Sequence, residues 1–314
     1  MKMPIRPKTI LAVLALLAMS SSLAQTTVSE LAPISELAPI ADESEVLKIA
    51  ALEALMSAPP ERALPLVTKV LNSNNSNEVK LRALFVLSQI DLHEAQAQLL
   101  HVARSGDGEL RGEAVRMIGI GGNAEALAGL ADLYSSGNED VRDAVLEAYM
   151  IAGDTDAVFQ IAANANDAEE FEAAVEMLGI MGAQDDLRRL RESSNFSEIL
   201  IEAFALSGDA DTLRELALDG SDPETQARAI EALGIVGGES VNATLVEIYR
   251  STDSDEVREA ALSGMLISGH GQGMLELYRA SDNVGEKREL LEALTIMRSD
   301  LVLDLIDEAL AGDR

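Results

Sequence analysis

The stretch Asp255-Glu-Val-Arg-Glu-Ala-Ala-Leu-Ser-Gly-Met-Leu-Ile-Ser-Gly269 decides the fold. It opens with acids and Val, sets small and apolar residues at i, i+3, i+4 and i+8, and stops at Gly. That is one face of an amphipathic helix ending in a residue that tolerates the left-handed conformation. With Val257 as column zero, the pattern recurs with starts at Leu47, Val79, Leu110, Val141, Glu170, Phe196, Thr225, Val257 and Lys287. Successive starts lie 26 to 32 residues apart. Column twelve reads Pro59, Asp91, Gly122, Gly153, Gly182, Gly208, Gly237, Gly269 and Ser299. Six consecutive glycines at one column make this a repeat, and a repeat of this length means stacked supersecondary units.

A second, shorter helix follows the glycine, as over 124–134, 241–249 and 272–278. Small residues such as Ala144, Ala174, Ala229 and Ala261 let helices approach closely. Ser, Asn and acids before each first helix supply caps and complement the helix dipole. Asp222-Pro223 is the clearest case, with Asp as cap and Pro at the first helical position. The expected fold is all-α, a right-handed α-α superhelix (solenoid) of about nine helix–turn–helix repeats of about 30 residues.

Four such repeats carry the signatures Glu78-Val-Lys80, Glu109-Leu-Arg111, Asp140-Val-Arg142 and Glu256-Val-Arg258, each followed by an Ala-rich helix. Together with the glycine stop they resemble HEAT repeats, most closely the short kind named after phycobilisome lyases. The resemblance covers residues 45–314 and implies a binding scaffold rather than an activity. Arg111, Arg142 and Arg258, each beside an acid, suggest an ion-pair ladder between neighbouring repeats. HEAT-like deoxyhypusine hydroxylases hold two irons with four His-Glu pairs. This chain has the single pair His93-Glu94, so that site cannot be assembled from matching motifs.

Composition narrows function further. There are 54 acidic against 24 basic residues, a net charge of −30. Such a surface repels nucleic acid and anionic headgroups and suits solubility or a cationic partner. Cysteine is absent, so no disulfide or thiolate metal site is possible. Gly119-Ile-Gly-Gly122 lacks the Lys-Ser/Thr of a phosphate loop, and no Gly-x-Ser-x-Gly elbow occurs. No catalytic, cofactor or metal residues are expected, and no enzyme.

Ahead of the repeats, residues 1–24 read as a secretory signal. Lys2, Arg6 and Lys8 precede the apolar run 10–19 and a small-x-small cleavage site, Ser22-Leu-Ala24. An apolar run of this length is short of the ~20 residues that span a bilayer, so stable membrane insertion after cleavage is not expected. The chain reads as exported, periplasmic in a bacterium. Residues 25–44 form a tether with the duplicated hexapeptides Ser29–Ile34 and Ser35–Ile40, broken by Pro33 and Pro39.

Two features mark candidate partner-binding residues. Tyr134, Tyr249 and Tyr278 end the second helices in one column, either as interface anchors or as rings packed beneath the inter-repeat loop. Leu187-Arg-Arg-Leu-Arg191 places Arg188 and Arg191 on one helix face, either paired locally with Asp185, Asp186 and Glu192 or open to a carboxylate-bearing partner. Phe159, Phe171, Phe196 and Phe204 cluster in and just before the compressed fifth and sixth units, as space-fillers or as a ligand pocket. The resulting reading is a non-enzymatic, exported protein–protein interaction scaffold whose partner is another protein, basic if the acid excess serves more than solubility. The alternatives are an accessory regulatory or sensing subunit of an envelope complex and, more remotely, a metal-dependent enzyme.

Overall fold

A computed structural model describes residues 43–193, 197–219, 222–297, 302–303 and 305–306. The signal, nearly all of the tether, Phe196 and most of the polar C-terminal segment Leu301–Leu310 lie outside the described residues. The chain divides into two units, 1–48 and 49–314. The stacked repeats occupy the second unit, and α1 (Glu43–Leu55) crosses the division. Among the described residues all regular structure is helical.

The expected alternation is present. First helices of units two to nine are α3 (Asn77–Ser88), α5 (Gly108–Gly121), α8 (Glu139–Ala152), α10 (Ala168–Ile180), α12 (Ser197–Ser207), α14 (Pro223–Val236), α16 (Asp255–Ile267) and α18 (Val284–Ile296). Second helices of units one to eight are α2 (Pro60–Leu71), α4 (His93–Ser105), α6 with α7 (Ala124–Ala128, Leu130–Ser136), α9 (Thr155–Ala163), α11 (Gln184–Ser193), α13 (Ala210–Leu218), α15 (Glu239–Ser251) and α17 (Gly271–Ala280). From α3 to α18 each first helix packs on the next, the nearest-neighbour stacking of an α-α solenoid.

The local chemistry explains the boundaries. Ser76, Ser254 and Asp222 accept the backbone N–H three residues on, at the starts of α3, α16 and α14. All six column-twelve glycines take positive φ, between 60° and 73°, where a Cβ is penalised. The second helix of unit three, expected to be continuous, breaks at Gly129. A Cβ there would fall 2.4 Å from Leu100 Cδ2 on α4, so backbone packs where a side chain would otherwise stand.

Burial also corrects one register. In unit eight the buried positions are Val257, Ala260, Ala261, Gly264 and Met265. In α18 they are Leu290, Ala293 and Leu294, which match Ala261, Gly264 and Met265 only if unit nine starts at Glu286 rather than Lys287. Asn283 then caps α18 as Ser254 caps α16. Without a glycine stop at its end, the ninth unit offered no sequence mark to fix that residue.

Column nine sets how tightly first helices stack. It is Gly119, Gly179 and Gly234 in units three, five and seven. A Cβ on these would lie 2.6 Å from Ala148 O, 2.9 Å from Ala203 O and 2.5 Å from Gly264 O, all at column seven of the following unit. The pairs α5/α8, α10/α12 and α14/α16 accordingly make the most extensive first-helix contacts. Where column nine is Ser88 or Ala205 the next helix contacts less, and where it is Met150 or Leu266 least.

Candidate functional site

The tyrosine column is a structural joint. Tyr134 and Tyr249 are 5% and 2% exposed, which corrects the expectation that they stand open as anchors. The Arg142 guanidinium lies over the Tyr134 ring, 5.5 Å from its centroid, and Lys287 lies 5.4 Å over Tyr278. These cations come from the following first helix, so each pair joins one unit to the next. The Tyr134 hydroxyl reaches on to Glu170 of the unit beyond, and burial followed by that carboxylate pushes it up to about 12. Tyr249 is also pushed up to about 12, by burial first and then by Glu286 and Glu289 of the unit beyond, against the charge of Arg258. Each of these two side chains therefore interacts with groups of the two following units. Tyr278 keeps partial exposure.

The Val-Arg column is not a ladder of acid pairs between repeats. Arg142 uses the Tyr134 ring, while Arg258 pairs with Asp255 of its own helix at 2.8 Å and donates to Thr252 O at 2.9 Å. These side chains close the preceding second helix at its C-terminal end, where cations are favoured.

Arg188 and Arg191 are also committed, and mostly to another unit. Arg188 donates Nε and an Nη to the two Asp209 carboxylate oxygens, both at 2.8 Å, and reaches Thr212 and Asp185 as well. Asp209 caps α13 through Thr212 N–H, and its side chain is 1% exposed. Burial would raise its carboxyl, but the Arg188 and Thr212 hydrogen bonds outweigh that and hold it below the usual carboxylate range. Arg191 meets Glu215 at 3.2 Å. The pairs fasten α11 to α13, so Arg188 is an internal staple; of the local partners expected from sequence, Asp185 pairs with Arg188 and Asp186 with Arg189 at 2.8 Å. Phe171 and Phe204 fill the core here, and Arg189 lies 4.0 Å over the Phe159 ring. A cleft of about 840 Å³ lies between α7 and α9, lined by Tyr134, Arg142, Tyr149, Gln160 and Glu170 among others.

His93 pairs with Glu125 of the next unit, at 2.8 Å. Among the described residues no group of three His, Asp or Glu side chains is placed to hold a metal ion, and no helix is long and apolar enough to cross a membrane.

The feature sequence reading missed is at column ten. Ile120, Ile151, Ile180, Ile235, Ile267 and Ile296 are 39–73% exposed, and the corresponding Leu206 is half-buried. Ile296 joins the row only in the corrected register. One turn earlier, at column six, units four to seven carry Glu147, Glu176, Glu202 and Glu231. Positions i and i+4 share a helix face, so a row of acids runs beside a row of aliphatics across the stacked first helices. Among the described residues no cation forms an ion pair with these four glutamates; the charge of Arg116, one unit earlier, acts on Glu147 without contact. Burial, then Glu172 and Glu202, raises the Glu176 carboxyl above its ordinary value. The signal is present as Glu-x-x-x-Ile-x-Gly, but a helical pattern by itself does not tell an isoleucine facing solvent from one facing the core.

Residues 193–265 match the family described as HEAT repeats. Among solved structures, the complex of CpcE and CpcF of phycocyanin lyase from Nostoc sp. PCC7120 is similar at 18% identity, covering 85% of this chain and 98% of that one, with a TM-score of 0.32. An engineered protein is similar at 19% identity over 82% and 86%, TM-score 0.32. Human deoxyhypusine hydroxylase in complex with glycerol is similar at 20% identity over 86% and 92%, TM-score 0.32. No curated protein matches the chain. Likenesses at these values carry no argument about activity or partner.

Proposed function

We propose that the protein is a non-enzymatic, exported scaffold that binds another protein along its repeats. The observation that supports this is the column-ten row. Isolated exposed apolar residues are ordinary on any surface, but six isoleucines kept at one column of a repeat form an ordered strip. The cost of leaving each one in water is balanced in a scaffold by burial against a partner. Export rests on the N-terminal pattern of Lys2, Arg6, Lys8, the apolar run and Ser22-Leu-Ala24. Tyr278, the partly exposed member of its column, remains a contact candidate.

The test is affinity capture from an envelope extract with the chain beginning at Gln25, beside the same chain carrying Ile151→Ser, Ile180→Ser and Ile235→Ser. One dominant co-purifying protein, lost with the triple variant, is expected. Equal recovery by both would sink the reading. Amino-terminal sequencing of protein recovered from the periplasm should begin at Gln25; an intact Met1 in the cytoplasm would refute export.

A further inference from the structure

The scaffold reading leaves the chemistry of the partner open, and the two rows define it. We infer that the first-helix face of units four to seven receives a basic amphipathic α-helix, with an aliphatic stripe on Ile151, Ile180, Leu206 and Ile235 and a Lys/Arg flank on Glu147, Glu176, Glu202 and Glu231. This rests on the scaffold reading and names its partner class and docking face.

Geometry supports a helix. Columns six and ten are four residues apart, about 6 Å along the first helix, and an α-helix about 10 Å across covers both rows at once. Stacked first helices lie about 8–10 Å apart, and residues seven apart on a bound helix recur about every 10.5 Å, so roughly one heptad meets each repeat. Charge selects the sign. The acid row is continuous over four units and forms no ion pair among the described residues; it ends at unit three, where the same column is Arg116, bound to Glu113 and acting by charge on Glu147. A second copy of this chain, at −30, would bring like charge to the row.

The experiment uses the chain from Gln25 and two synthetic peptides of about 21 residues and identical Leu/Lys composition, one in amphipathic heptads and one scrambled. Binding is followed by fluorescence anisotropy at low and moderate salt. The amphipathic peptide should bind at least about tenfold tighter than the scrambled one. Ile151→Ser with Ile180→Ser and Ile235→Ser should erase that preference. Glu147→Gln with Glu176→Gln, Glu202→Gln and Glu231→Gln should weaken both peptides and flatten the salt dependence. Circular dichroism melting checks that both variants fold. Equal affinity of the two peptides for the unmodified chain, or a preference that survives the serines, would overturn the inference. So would concentration-dependent dimerisation in sedimentation that the serines abolish, since the face would then belong to a second copy. A captured envelope protein that binds the serine variant undiminished would keep the scaffold and remove this face from it.

Discussion

The seam between units seven and eight and the seam between units four and five are built from the same helix pair and differ in closeness. At the first, Gly234 lets α14 run against the backbone of α16, with a Cβ position 2.5 Å from Gly264 O. At the second, Met150 stands at the same column and α8 meets α10 much less. The order Gly, then Ser and Ala, then Met and Leu is followed by every seam from unit two to unit nine. One side-chain volume at column nine thus sets how closely repeats stack, and the tight seams recur in alternation as three pairs of units.

The largest effect should come from filling a tight seam. Gly234→Leu must displace backbone, and overpacking of that kind costs about 3 kcal/mol, read as a lowered urea midpoint. Met150→Leu, at the loose seam, should stay under about 1.5 kcal/mol. If the two cost the same, column nine does not control the stack. The glycine turns give a second contrast. Gly153→Ala places a side chain at φ +72° and should cost about 1 kcal/mol. Gly112→Ala, inside α5 with nothing within 4 Å, should gain about 0.5–1 kcal/mol.

The tight seam of units five and six adds a staple on its second-helix side. Asp209→Asn retains a capping side chain and removes the charge that meets Arg188. Arg188 is 42% exposed, so the loss should be about 1 kcal/mol rather than that of a fully buried pair. Because the folded-state carboxyl sits below its ordinary value of 3.8, this stability is present above that pH and is lost as pH falls through the folded value. Urea midpoints of wild type and Asp209→Asn should therefore differ at neutral pH and converge in strong acid.

Fold was legible because the repeat wrote it many times: six glycines at one column and apolar spacing along each helix outweighed any single irregular residue. The site was less legible for a physical reason. Tyr134 and Arg188 have the chemistry of interface residues, but their partners, Glu170 and Asp209, lie in later units. Only stacking reveals that these groups are already satisfied. Column ten is the converse case. Ile180 and Ile235 look like ordinary helix residues until burial shows which isoleucines the core leaves out. Unit nine starts one residue before Lys287, because without a terminal glycine nothing in the sequence pins its register, and Lys287 is equivalent to Arg258.

The smallest expected effect separates the two faces most cleanly. Glu176 is half-buried beside Glu172 and Glu202, and its carboxyl is raised, by burial first and then by those neighbours. A folded-state value above the unfolded one means stability is full at low pH and declines as pH rises through that range. Glu176→Gln should consequently raise the neutral-pH melting midpoint slightly, by well under about 1 kcal/mol, and leave the midpoint in acid unchanged. Residues that hold a fold together lose stability when neutralised, as Asp209 should. A residue whose neutralisation strengthens the fold yet weakens binding of a cationic helix is kept charged for the partner. Opposite signs in melting and peptide affinity for Glu176→Gln would place the acid row with function; matching signs would return it to the architecture of the repeats.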